Sequence, residues 1–307
     1  MGVLSLRSRC EAAEAAGRDG SASPLVLGEI ATEVARVLDA PPPDAHTALV
    51  WSAITSGDPS DTGVEATAAG RAWQLSGRVL AMHAPADVRD LLVVSRSRPL
   101  GGRDRGIRVH RVAADAPGVR LEPATLLDGT PVHTVHLDAV EADDSNAVGP
   151  PRDATPALRA VLDTALVLAA SEMLGAASAA QTAATAWVNE RVQFGAPLGS
   201  RQVVQHRIAD MEIACSAVRA LVDDAVARAE AGEPCGTEAA VAKLVASRRL
   251  PDVTAAAHQL HGGEGYYADR PLHRWHKRVL VLSALLGGPA AQRARLAPLI
   301  LLPRSGA

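Results

Sequence analysis

At 307 residues the chain is long enough for two or three domains with sizeable cores. Its formal net charge of -3 offers no basic excess for nucleic acid or an anionic membrane surface. Cys10, Cys215 and Cys235 are odd in number and far apart, which argues against a disulfide framework and suits a reducing, cytoplasmic setting. Four Trp, two Tyr and one Phe leave the cores to Ala, Leu and Val, a composition that favours long, closely packed helices.

The first 47 residues read as a short helical segment. Glu29–Leu38 has helical spacing and is stopped by Pro41-Pro42-Pro43, and Gly17–Pro24 reads as a flexible connection. The start shows no apolar h-region and no hydroxyl residue of a myristoylation signal, and no apolar run is expected to span a bilayer. Residues 48–150 change period. Trp73–Met82, Asp90–Ser95, Ile107–Val112 and Val132–Leu137 are short, rich in Val and Leu, and separated by Gly, Pro and Asp clusters. They predict a small antiparallel β domain, closed at Gly149-Pro150-Pro151.

Residues 151–307 read as helices. Pro156 suits a first helical turn, and Leu158, Val161, Leu162, Ala165, Leu168, Ala169 and Met173 recur at helical spacing. With no further proline before Val192, this helix is over ~50 Å long. Further helices are predicted over Ser200–Glu230, Thr237–Gln259 (with a kink at Pro251), Leu272–Leu286 and after Pro289. Long helices with short loops make an antiparallel bundle.

Several patterns carry little chemistry. Gly263-Glu264-Gly265-Tyr266-Tyr267-Ala268 fits a dinucleotide fingerprint, but a helix rather than a strand leads into it. His133 and His136 face opposite sides of a strand, and His206 with Asp210 supplies only two ligands, so no metal is predicted. His261-Gly262-Gly263 has no G-x-S-x-G nucleophile elbow to serve. More informative is Arg191-Val192-Gln193-Phe194-Gly195-Ala196-Pro197-Leu198, a corner between two helices with an arginine close to the chain's one phenylalanine. Guanidinium and ring together suit a flat anionic ligand, although a capped corner plugged by Phe194 fits the same residues.

That corner, followed by Gln202 and Ala209-Asp210-Met211, resembles the R-x-x-F-G-x-P-[LI]…Q…A-D-M signature of the acyl-CoA dehydrogenase family. Ala242-Lys243, Gln259-Leu260-His261-Gly262-Gly263-Glu264-Gly265-Tyr266 and Asp269-Arg270-Pro271-Leu272 extend the resemblance in order and spacing. It is specific over about 155–297, and fainter over 51–148. The resemblance implies an α+β, mainly α fold: a truncated helical N-terminal segment (1–47), a small antiparallel β-barrel (48–150) and a C-terminal four-helix bundle (151–307). It implies FAD at a subunit interface, held by Arg191, Phe194, Gln202, Gln259, Gly262 and Gly263, and α,β-dehydrogenation of an acyl thioester.

Three departures accompany it. The family's two positions for the catalytic glutamate fall at Leu286 and Ala165, neither of which takes a proton. Its flavin-facing Trp-x-Thr aligns with Ala81 and His83, and its N-terminal helical domain is cut to about 50 residues. The pattern resembles the base-lacking subunit of heteromeric acyl-CoA dehydrogenases of actinobacterial type, acting on bulky acyl groups within a heterotetramer. One alternative is a self-sufficient enzyme, such as a homodimer, with a base relocated to Glu172, Asp163 or Glu264. Another is a flavin-free scaffold that keeps the dimerising bundle.

Overall fold

The computed structural model describes residues 4–20, 25–69, 72–81, 87–98, 106–143, 145–149 and 153–301. In chain order its elements are α1 (Leu6–Asp19), α2 (Leu25–Val37), β1 (Thr47–Val50), α3 (Ala53–Ser56), β2 (Val64–Ala69), β3 (Ala72–Ala81) and β4 (Asp90–Arg98). There follow β5 (Ile107–Ala113), β6 (Val119–Thr125), β7 (Pro131–Ala142), β8 (Ala147–Val148), α4 (Thr155–Glu190), β9 (Val192–Gln193) and β10 (Ala196–Pro197). Four helices complete the chain: α5 (Gln202–Glu230), α6 (Gly236–His261), α7 (Leu272–Ala284) and α8 (Pro289–Leu301). The chain divides into two compact units, Pro24–Ala165 and Met1–Ser23 with Leu166–Ala307.

The first unit holds a sheet in the order β6-β7-β3-β2-β4-β5-β8, with β1 also paired to β4. Residues two apart along a strand share a face, and such pairs build the core: Trp73 and Leu75 on β3, Leu91 and Val93 on β4, Val135 and Leu137 on β7.

The predicted antiparallel β-barrel is corrected in two respects. β4 runs parallel to β1 (Thr47↔Asp90 to Val50↔Val93) and to β2 (Glu65↔Arg96 to Thr67↔Arg98), so the sheet is mixed. Among the described residues no pairing closes β6 onto β8, so it is open. Pro123 on β6 has no N–H to donate, which suits an edge strand, and β8 offers only two residues. Opposite Leu75 to Gly77, β7 carries one extra residue between Leu137 and Val140, and this bulge turns both Leu137 and Val140 toward the core. Gly77 is required there, because a Cβ would lie 2.2 Å from the Gly63 carbonyl oxygen. Ala81 is buried at the end of β3, whereas His83 lies outside the described residues.

In the second unit α1 continues through Gly17 to Asp19, where Gly20 caps it with φ 67°, so the predicted connection over Gly17–Pro24 begins too early. Two glycines explain its seat on α4. A Cβ on Gly17 would lie 2.0 Å from the Glu172 carbonyl oxygen, and one on Gly175 would lie 2.0 Å from that of Glu14. Ion pairs from Arg7 to Glu230 (3.2 Å) and from Arg219 to Glu14 (2.9 Å) fasten α1 to α5. The Trp275 indole donates to the Arg18 carbonyl (2.9 Å) and ties α1 to α7.

α4 is long and apolar enough to cross a membrane by length and composition, contrary to the expectation from apolar runs. Its most apolar stretch is 83% buried within the fold, as befits a core helix. α6 packs against α5, α7 and α8 and runs on through Pro251.

Candidate functional site

Just beyond α4, β9 and β10 form a hairpin with Gln193 opposite Ala196 and Val192 opposite Pro197. Its two-residue turn, Phe194-Gly195, has φ 54° and 80°, the left-handed pair of a type I′ turn. Glycine takes this conformation freely, but at Phe194 it costs roughly 1–2 kcal/mol. The ring gains no packing in return, being 90% exposed. The Arg201 guanidinium lies 5.8 Å from the ring centroid and donates to the Phe194 carbonyl (3.2 Å), which holds the turn. Phe194 is therefore displayed, and the plugged-corner reading is set aside.

The end of α4 meets the end of α6 through aromatic stacking. The Trp187 and His261 rings are 5.4 Å apart and inclined by 13°. The guanidiniums of Arg191 and Arg270 lie 5.8 Å and 5.6 Å from the indole centroid. Arg270 also pairs with Glu264 at 3.5 Å, but among the described residues Arg191 has no carboxylate partner. Its guanidinium keeps its donors available for an anion.

His261 leads directly into Gly262, whose φ 62° and ψ -139° belong to glycine, and whose N–H caps α6 on the carbonyls of Gln259 and His258. Nothing lies within 4 Å of a Cβ added at Gly262 or Gly263. The chain's own packing therefore does not require glycine at 263, while a ligand approaching the backbone would. The carboxyl end of α6 carries partial negative charge, so the arginines must supply the attraction for an anion. These residues fit a phosphate-bearing cofactor.

The structure thus brings Arg191 together with the Gly262-Gly263 turn through Trp187 and His261. Phe194 is on the hairpin beside Arg191; Gln202 opens α5 and is exposed, as is Gln259 one turn before Gly262. The sequence motifs do not single out Trp187, although its place four residues before Arg191 on a helix is a usable signal. Val192, Phe194, Val203, Tyr266 and Tyr267 are exposed on the same segments, an apolar display that suits burial by a partner.

The two positions that the sequence resemblance assigns to the catalytic base look different. Leu286 is 1% exposed with φ 60°, and Gln292 donates to the carbonyls of Leu286 (2.8 Å) and Gly287 (3.0 Å). Upstream, Lys243 donates to the Ser247 hydroxyl (2.9 Å) and the Ser283 carbonyl (3.3 Å); burial pushes its pKa down to about 7. Ala165 is buried on α4. Of the carboxylates considered as relocated bases, Glu172 is fully buried and paired with Arg278 at 2.5 Å, and Glu264 is paired with Arg270. Asp163 is half-buried. Among the described residues no group of three or more His, Cys, Asp or Glu could hold a metal.

Residues 157–301 match the acyl-CoA dehydrogenase C-terminal domain. The acyl-CoA dehydrogenase IpdE2 of Mycolicibacterium smegmatis is 40% identical over 44% of this chain and 42% of its own length. The mitochondrial short-chain specific acyl-CoA dehydrogenase of Bos taurus is 31% identical over 77% of this chain and 59% of its own. The chain thus spans about half the length of these curated relatives. A solved variant of the Tcur3481–Tcur3483 steroid ACAD superposes with a TM-score of 0.79 at 32% identity, covering 96% of this chain and 81% of that one. With that extended likeness joined to the matched helical domain, the chain belongs to the acyl-CoA dehydrogenase family.

Proposed function

We propose that the chain supplies half of an FAD site to a neighbouring subunit in an acyl-CoA dehydrogenase assembly, and that it contributes no catalytic base. Members of the family are FAD-dependent flavoproteins. The observation that carries the reading is an arginine without a carboxylate partner among the described residues, beside two glycines with open space around them. Arg191 would neutralise phosphate charge, the glycine turn would admit it to the backbone, and Phe194, Gln202 and Gln259 would line the approach.

FAD, when bound, supplies a hydride acceptor. Abstraction of the α-proton needs a carboxylate near the thioester, and Leu286 and Ala165 stand at the family's positions for it. The buried pair of Glu172 with Arg278 counts against relocation of the base to Glu172. The missing base is therefore assigned to an acyl-CoA dehydrogenase-like partner in a hetero-oligomer, acting on a bulky acyl thioester. A cytoplasmic setting suits the buried thiols of Cys10 and Cys215, whose pKa values burial raises to about 11.

The chain would be purified alone and with an acyl-CoA dehydrogenase-like partner, then examined for flavin absorbance and bleaching by acyl-CoA. Colour confined to the co-purified sample is expected. Bleaching by the chain alone would establish a self-sufficient enzyme, and a colourless assembly without affinity for added FAD would overturn the half-site. Arg191→Ala is expected to lower FAD affinity about 10- to 100-fold while the bundle's helical circular dichroism stays unchanged.

A further inference from the structure

We propose that Trp187 is a positioning residue for this half-site: its indole face orders the Arg191 guanidinium and couples it to the Gly262-Gly263 turn. The inference rests on the FAD half-site for its purpose, but its geometry stands independently. One ring stacks on His261 and has two guanidiniums, those of Arg191 and Arg270, within 5.8 Å of its centroid. Two like charges converging on one small region repel each other, and an electron-rich ring face offsets that repulsion. Arg191 has no ion pair among the described residues to orient it, so the indole is its anchor in the chain.

The coupling runs through His261. Its Nδ1–H donates to the Ala257 carbonyl (2.8 Å), which fixes the ring on α6, and Gly262 is the next residue. Trp187 and His261 therefore set the spacing between an arginine at the end of α4 and a backbone turn at the end of α6. A phosphate must meet both at once, so their separation governs affinity. Trp187 need not touch the ligand to have this effect.

The test compares Trp187→Phe with Trp187→Leu in the full chain, assembled with its partner where one is required. Phenylalanine keeps a π face; leucine keeps apolar bulk alone. FAD affinity is expected to fall about tenfold in the leucine variant and to remain within about threefold of the parent in the phenylalanine variant. A second readout needs no flavin: tryptic cleavage after Arg191 is expected to accelerate in Trp187→Leu and not in Trp187→Phe. Equal behaviour of the two variants in both measurements would overturn the proposal, since Trp187 would then be a packing residue. If the parent assembly binds no FAD, the half-site reading falls and cleavage alone decides: a Phe–Leu difference upholds the ordering role, and its absence overturns it.

Discussion

Two residues of the helical unit share an uncommon backbone conformation and use it in opposite ways. Phe194 has φ 54° and is 90% exposed; Leu286 has φ 60° and is 1% exposed. At Leu286 the burial of a large aliphatic side chain offsets the backbone cost, by roughly 2–3 kcal/mol against 1–2. At Phe194 no such burial offsets it, although the Arg201 guanidinium lies over the ring and donates to its carbonyl. A cost that burial does not offset marks a displayed turn, whereas an offset one describes a closed core. The hairpin corner displays its ring; the turn after α7 is sealed at Leu286, a position that the sequence resemblance assigns to the catalytic base.

The sealed side is the more sensitive of the two. Glu172→Gln removes the buried carboxylate that faces the Arg278 guanidinium and is expected to destabilise the protein by about 3–5 kcal/mol in urea unfolding. The double variant Glu172→Leu/Arg278→Met should recover much of that loss, because it removes both buried charges. If the single variant unfolds at the parent's midpoint, the pair does not hold α4 to α7.

Lys243 probes the same side through pH. Its folded pKa of about 7 lies below its ordinary value of 10.5, so between these values the unfolded chain binds more protons and stability rises with pH. Thermal unfolding from pH 7 to 8, below the ordinary thiol value of 9.0 at which Cys10 and Cys215 would ionise in the unfolded chain, should show this rise. Lys243→Met should flatten it. An unchanged slope would mean that Lys243 keeps its proton when folded.

A smaller but more direct contrast places glycine at both left-handed positions. Leu286→Gly relieves the backbone but loses the buried side chain, with an expected net destabilisation of about 1–2 kcal/mol. Phe194→Gly relieves a similar cost and loses almost no burial, so stability should stay within about 1 kcal/mol of the parent or rise slightly. The same variant should weaken FAD binding. Destabilisation of equal size at both positions would erase the distinction between the displayed corner and the sealed one.

Much of the bundle can be read from the chain because its signals are local. Apolar residues at helical spacing and the flanking Gly and Pro mark α4 to α8, with ends within about two residues for most of them. The strands are harder. β1 and β2 pair in parallel with β4, so those partners lie far along the chain. α1 is obscured by Gly17, which reads as a break but serves a close crossing with α4.

The residues of the corner, and the lack of a carboxylate at positions 165 and 286, follow from the amino-acid order, because identity and spacing are written along the chain. Folding in three dimensions was needed to set Trp187 on His261, to engage Glu172 with Arg278, and to seal Leu286 while displaying Phe194. Those outcomes depend on which helix faces meet across long stretches of intervening chain, or on what covers a turn once the helices have packed. No local pattern carries that information.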